Sequence, residues 1–349
     1  MLRIGIIGAG RIGARRAREV SRHSGCRLVA VADPDPARAQ LLAKTYSCRA
    51  TADGRALATA SDIDAVNVAT PHHLLAPLAL LALESRKHVL CEKPLAMTPD
   101  EAMRLVLAAD RSRITLKTGF NHRHHPAVWT AHQKLQSGAI GKPLWIRCRY
   151  GHGGRPGYEK EWRADPAQSG GGELLDQGIH VLDLFRWFLG EFSEVQAVLT
   201  QSFWPTPVED NAFCLLRTPA GQVASLHASW TQWRNLFSFE VFGEQGYLLI
   251  DGLGGNYGPE RLTIGYRSSN SSTPHEEHIQ FACEDGSWSR EWQEFVSAIE
   301  ENRRPLADGE DGWQALRLAH ASYESARLGI AVQLREEELC RTKTISAAS

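Results

Sequence analysis

The sequence lacks the marks of several protein classes. It has no charge excess: 39 lysines and arginines face 40 aspartates and glutamates, for a formal net charge of −1. That balance gives no electrostatic footprint for nucleic acid and no sign asymmetry toward a charged partner. No apolar run of 18 residues occurs, so no membrane span is expected. The seven cysteines, at 26, 48, 91, 148, 214, 283 and 340, include no CxxC pair. An odd, scattered set argues against a disulfide framework and against a structural zinc site, and no metal is expected. Neither charged leader nor cleavage signal accompanies the opening MLRIGIIGAGRIG, so a reducing cytoplasm is the expected location. Internal repeats and low-complexity tracts are also missing, and the Ser-rich SSNSSTP reads as an exposed hairpin tip.

What is present is a long chain of 349 residues, 43% hydrophobic, with length for two domains. Through residue 120 it alternates. Strand-like runs are LRIGIIG, RLVAVAD, AVNVAT, KHVLCEKP and ITLKTGF, and helix-like runs separate them. Short apolar strands joined through helices imply an α/β domain with a doubly wound parallel sheet. Beyond residue 120 a helix, a strand and a Gly/Pro-rich loop lead to GGGELLDQGIHVLDLFRWFLG. The runs EVQAVLTQSF, NAFCLLRT, QVASLHASW, LFSFEVFG and GYLLIDG then follow without helices between them, which favours an antiparallel or mixed sheet. Two helix-like segments close the chain.

Gly8-Ala9-Gly10-Arg11-Ile12-Gly13 is a GxGxxG that follows an apolar strand and opens a helix. Gly8 permits the tight turn, Gly10 lets a pyrophosphate approach the backbone, and Gly13 lets helix and strand pack closely. The helix N-terminus offers N–H groups to the phosphates. The second strand ends at Asp33, 20 residues beyond Gly13. A carboxylate there accepts from both ribose hydroxyls and repels a 2′-phosphate, so NAD is expected over NADP.

Glu92-Lys93-Pro94 follows the strand KHVLC. In a doubly wound sheet, ligands bind beyond the carboxyl ends of the strands, which points Lys93 to the cofactor crevice. Taken alone, EKP reads better as a charged surface turn. In GGGELLDQGIHVLD, a regular helix would place Asp176, His180 and Asp183 on one face. Such a stripe is either solvated or lines a cleft.

Together GAGRIG, Asp33, ATP at 69–71, EKP at 92–94, GFNHRHHP at 119–126 and GGGELLDQGIHVLD at 170–183 resemble the Gfo/Idh/MocA family of oxidoreductases, over nearly the whole chain. The resemblance implies a Rossmann domain over residues 1–121 and, over 122–349, an α+β domain with a large, mostly antiparallel sheet for substrate binding and oligomerisation. It leaves room for the last helices to pack back on the first domain. It implies hydride transfer between NAD and a ring carbon of a sugar, sugar derivative or cyclitol. The implied catalytic trio is Lys93, Asp176 and His180. Implied cofactor contacts are Gly8, Gly10, Arg11, Ile12, Gly13, Asp33, Arg38, Thr70, Pro71, His73, Glu92, Lys93 and Asn121. Implied substrate contacts are Lys93, Arg123, Tyr158, Trp162, Arg163, Asp176 and His180. In one respect the chain departs: many relatives carry a histidine where this one has Leu75, while His72 and His73 stand earlier.

Oxidising a secondary alcohol removes a hydride and a hydroxyl proton. NAD takes the hydride, and histidine is the natural base for the proton. His180 is assigned that role, with Asp176 to orient it and Lys93 to stabilise alkoxide charge; proton transfer through Lys93 remains a variant. With 14 histidines in the chain, His122, His124, His125 and His152 are not assigned roles. The loop YGHGGRPGYEKEWR carries Arg155, Tyr158, Lys160, Trp162 and Arg163, which suit a pyranose or an acidic sugar. Glu159 and Glu161 offset that charge, so a merely solvated loop is the other reading. Phe237, Phe239 and Val241 alternate as an uncovered sheet face would, and a homodimer or homotetramer is expected. Two other functions stay open: a glycosidase using NAD transiently, and a non-catalytic dinucleotide-binding regulator.

Overall fold

The computed structural model describes residues 1–268, 273–282 and 284–334. The SSNSSTP patch falls largely outside them, as do Cys283 and Cys340. The chain divides into two compact units. The first comprises Met1–Asn121, Ala167–Gly170 and Trp288–Leu316; the second comprises His122–Pro166, Gly171–Ser287 and Arg317–Ser349.

In the first unit the elements alternate as β1 Leu2–Ile7, α1 Arg11–Arg22, β2 Cys26–Ala32, α2 Pro36–Tyr46, β3 Arg49–Thr51, α3 Gly54–Thr59, β4 Ala65–Val68, α4 His72–Glu84, β5 His88–Cys91, α5 Pro99–Ser112 and β6 Leu116–Thr118. The six strands are parallel in the order β3-β2-β1-β4-β5-β6. Chain direction across the sheet reverses between β1 and β4, so the carboxyl ends of these two strands flank the switch point where such sheets take ligands. The helices start where local chemistry directs. Asp35 accepts from Ala37 N–H at the start of α2, and Thr98 with Glu101 closes a capping box on α5. Short β3, three residues long, and α3 carry too little apolar pattern to be read from sequence. A later segment completes this core: Trp292, Phe295 and Val296 cluster with Ile4, Ile6, Val20, Leu28 and Val31.

The second unit contains α6 Pro126–Gln136 and β7 Pro143–Gly151; α7 is Pro166–Ser169. A π-helical turn, Leu174–Gly178, runs into α8 Ile179–Leu189. Then come β8 Glu194–Thr200, β9 Asn211–Arg217, β10 Val223–Ser229, β11 Leu236–Gly243, β12 Gly246–Asp251, β13 Arg261–Tyr266 and β14 His275–Gln280. The closing elements are α9 Ser287–Glu300, α10 Gly309–Leu328 and β15 Val332–Gln333. Nine strands form one sheet in the order β14-β13-β12-β11-β7-β10-β9-β8-β15. All its pairs are antiparallel except β7 with β10.

The sheet corrects the expected outer face. Phe237, Phe239 and Val241 are buried. Phe239 lies 5.9 Å from Phe185 and 5.1 Å from Phe188, so this alternation is the one α8 covers. Residues of the other parity reach the opposite face, where Glu240 pairs with Arg147 at 2.7 Å. Trp145, Val198, Phe213 and Leu215 are exposed. Period-2 alternation identifies two faces but does not say which one a helix covers. Among the described residues no helix is long and apolar enough to cross a membrane.

Candidate active site

The glycine turn of the first unit is shaped from inside. Gly8 has φ +103°, and a Cβ there would stand 2.4 Å from the carbonyl oxygen of Ala69. A Cβ on Gly13 would fall 1.8 Å from the Gly8 carbonyl oxygen. Gly10 differs: φ is −71°, and an added Cβ would have no heavy atom within 4 Å. It caps α1 without any side-chain hydrogen bond, so the cap supplies no acceptor to the first-turn N–H groups. Asp33, at the end of β2, accepts from Ala9 N–H at 2.7 Å and from Asp35 N–H at 2.9 Å. Its carboxylate thus holds the middle of the glycine turn. An open backbone donor set beside a fixed carboxylate fits a dinucleotide.

Other expected cofactor residues divide by environment. Arg11 is exposed, and Ile12, Thr70, Pro71 and His73 are half-buried. Arg38 is exposed and pairs with Asp35 at 3.1 Å. Asn121 is buried. Leu75 is fully buried on α4, and His72 turns inward, 2.7 Å from the Ser169 carbonyl oxygen. The departure at 75 therefore removes a polar group from a packed position.

Glu92 is held from within. Its carboxylate takes Arg16 at 2.6 Å, and Arg16, fully buried, also grips Glu291 at 2.6 Å. Burial raises the Glu92 carboxyl, and Arg16 opposes that rise. So Glu92 anchors the base of EKP by an ion pair, and half-buried Lys93 follows it across a cis peptide to Pro94. Sequence reading missed this Glu92–Arg16–Glu291 triad, because Glu291 lies 275 residues from Arg16.

In the second unit the glycine triplet serves packing. A Cβ on Gly171 would meet the Tyr323 hydroxyl at 2.1 Å, and one on Gly172 the Glu209 carbonyl oxygen at 2.0 Å. The Glu209 carboxylate accepts from Gly172 N–H at 2.9 Å, Leu174 N–H at 3.1 Å and the Tyr323 hydroxyl at 2.7 Å. It caps the segment that carries Asp176 and His180. Burial nevertheless raises its carboxyl.

Asp176 and His180 are both largely buried. Asp176 belongs to the π turn, while His180 and Asp183 belong to α8. The expected uniform stripe is broken accordingly. Asp176 accepts from Arg163 at 3.1 Å, and Arg163 stands over the Trp162 ring at 4.5 Å. Asp183 is fully buried and takes Arg123 at 2.8 and 2.6 Å. Arg123, expected to contact substrate, has a buried guanidinium that serves the Asp183 carboxylate. Tyr158, from the same set, also lies inward. It is buried in a cluster with Val208 and Trp230. Arg155 is exposed and pairs with Glu161 at 2.5 Å. Beside the catalytic candidates, the His122 ring stacks on His180 with centroids 3.8 Å apart. No spacing rule flags that contact, since the rings are 58 residues apart in sequence. Among the described residues no group of three or more His, Cys, Asp or Glu side chains is arranged to hold a metal.

The two units each match a family model. "Oxidoreductase family, NAD-binding Rossmann fold" matches residues 2–120, and "GFO/IDH/MocA C-terminal domain" matches 128–249. The chain belongs to the Gfo/Idh/MocA oxidoreductase family. It is 31% identical over 340 residues to inositol 2-dehydrogenase of Acidothermus cellulolyticus, covering 95% of this chain and 94% of that one. Over 251 residues it is 32% identical to levoglucosan dehydrogenase of Pseudarthrobacter phenanthrenivorans, an alignment spanning 63% of this chain and 64% of that protein's length. The solved structure of a levoglucosan dehydrogenase in complex with NADH and levoglucosan matches with TM-score 0.88 and 27% identity, over 95% of this chain and 99% of that one. The first unit of this family member is an NAD-binding Rossmann domain, and the chain is an oxidoreductase.

Proposed function

We propose that this protein is an NAD-dependent dehydrogenase or ketoreductase acting on a secondary ring alcohol of an uncharged sugar, sugar derivative or cyclitol. Relatives named for inositol, levoglucosan and anhydrofructose support that substrate class. The observation that carries the reading is the buried Asp176–His180 pair, capped by Glu209 and braced by Arg163, in a chain whose Gly10 turn is open to a dinucleotide.

NAD, when bound, supplies the hydride acceptor. Gly10, Arg11, Ile12 and the α1 N-terminus would hold its phosphates, and Asp33 would hold the adenosine ribose. Thr70, Pro71, His73 and Asn121 border it. His180 takes the hydroxyl proton, Asp176 orients substrate and imidazole, and Lys93 donates to the reacting oxygen as negative charge develops there. Trp162 offers a ring face to the substrate. Two observations favour a neutral substrate over an acidic one. Arg163 is matched by Asp176, and Arg155 by Glu161, so neither of these arginines needs an anion from outside. We also assign the protein to a homo-oligomer, dimer or tetramer, through the exposed sheet face bearing Trp145, Phe213 and Leu215. The five cysteines among the described residues are all free, which suits a reducing cytoplasm.

An NADH-fluorescence screen over inositols, free and anhydro sugars, and sugar acids tests the reading. Net NADH should accumulate with a neutral polyol ring. A glycosidase would release product without accumulating NADH, and a regulator would bind NAD and turn nothing over. Lys93→Ala should keep NAD affinity within a few-fold and lower turnover by about a hundredfold or more. Wild-type turnover in that variant would remove Lys93 from the chemistry.

A further inference from the structure

His180 does not stand alone in its unit. His122, in the 3-10 turn Asn121–His124, stacks on it with centroids 3.8 Å apart and 17° between planes. His122 Nε2 lies 3.1 Å from the Tyr150 hydroxyl. The Tyr150 ring lies 5.1 Å from that of Tyr257, whose hydroxyl accepts from Gln177 Nε2 at 2.7 Å. Burial pushes both tyrosine hydroxyls up, Tyr257 to about 12, so they stay protonated and serve as fixed dipoles. The His122 ring is thereby tied to the Tyr150 hydroxyl of β7.

A ring so fixed acts on its stacked neighbour in two ways. It confines His180 to one plane, and it makes a second positive charge at this distance unfavourable. The two imidazoles titrate as a pair. We propose that His122 is a positioning residue for the reaction: it fixes the plane of the His180 ring and shares the pair's proton, so that His180 is kept neutral and ready to take the substrate hydroxyl proton. This rests on the assignment of His180 as base. In the step, the neutral pair gains the one proton the alcohol loses, while the hydride leaves with NAD.

The other charged or titratable groups around the pair in this unit are Asp176, Glu173, Arg163, Tyr150, Tyr257, the Arg123–Asp183 ion pair and His125 with Glu260. His122→Phe keeps all of them and keeps a stacked ring, and it removes the second imidazole alone.

The experiment is an NMR titration of histidine ring carbons in the full-length protein, with and without NAD, read beside the pH profile of kcat/KM. In the wild type the His180 signal should move in two steps. In His122→Phe it should move in one, with its midpoint raised by about one pH unit. A raised midpoint means the base is lost at higher pH, so the acid limb of kcat/KM should shift up by the same amount. His122→Ala should shift that limb too and also lower the kcat plateau about tenfold, since the plane is no longer held. His122→Gln, which keeps a donor toward Tyr150, gives the same comparison if the Phe variant does not fold. A single-step His180 titration with the same midpoint in wild type and variant would overturn the proposal. The base assignment fails by a different result: His180→Gln with wild-type turnover. The NMR coupling is read without turnover, so the two failures are distinct.

Discussion

Two glycine-rich stretches each lead into a helix, one at GAGRIG and one at GGGELLD, and they use their glycines for opposite ends. At the first, the middle glycine faces empty space, and the helix N-terminus behind it carries no side-chain cap. At the second, the chain itself fills the space: Tyr323 and Glu209 crowd Gly171 and Gly172, and Glu209 supplies the acceptor the helix start needs. A helix N-terminus satisfied by its own protein has no donors to offer a ligand, and one left open does. Local sequence looks alike in both places. What differs is whether a distant carboxylate reaches the N–H groups at the helix start, as Glu209 does at Leu174, or only the turn before it, as Asp33 does at Ala9.

Substituting the glycines breaks the comparison most sharply. Gly172→Ala drives a Cβ into backbone that cannot yield, and should cost about 1–3 kcal/mol in urea or thermal unfolding. Gly10→Ala should change stability by about 1 kcal/mol or less, because its φ suits any residue. It should instead weaken NAD binding about tenfold, read by fluorescence titration, since the methyl occupies the approach of the pyrophosphate. If Gly10→Ala unfolded the protein and left NAD affinity intact, the contrast would be void.

A loss of similar size, about 2 kcal/mol, is expected from Glu209→Ala, which leaves two N–H groups and the Tyr323 hydroxyl without their acceptor. Raised by burial, the Glu209 carboxyl offsets part of its own benefit, which holds the figure down. Wild-type stability in this variant would show that water satisfies those donors instead.

The first unit was more legible than the second. Its signals are local: a strand, a glycine turn, a helix, and a carboxylate at the end of the next strand. Periodicity marked five of its six strands and left out only three-residue β3. In the second unit, runs of strand were visible from β7 to β12, while β14, HEEHIQ, is a polar edge with no apolar alternation to find. The candidate site divides the same way. Asp33 stands where spacing put it, but Arg123 and Tyr158 are partners of buried groups. Whether an arginine faces substrate or a buried carboxylate depends on Asp183, 60 residues away, and nothing local records that. Glu209 and His122 act through contacts of the same long range.

The smallest expected effect sharpens the comparison at its open end. Asp33 holds Ala9 N–H at 2.7 Å, and in the proposed function its negative charge would repel a 2′-phosphate. Two substitutions separate these roles. Asp33→Asn keeps an oxygen to accept from Ala9 N–H and removes the charge. Its NAD affinity should fall by a few-fold, and its preference for NAD over NADP should narrow by about tenfold, the scale of one charge interaction near the surface. Asp33→Ser removes both, since its hydroxyl stops short of Ala9 N–H. It should narrow the preference equally and lose a further few-fold in affinity for both cofactors, because the turn around Gly10 is no longer held. Equal NAD affinity in the two variants would mean that the Ala9 bond does nothing for binding and that the carboxylate acts by charge alone. A wild-type protein preferring NADP would contradict the charge argument itself.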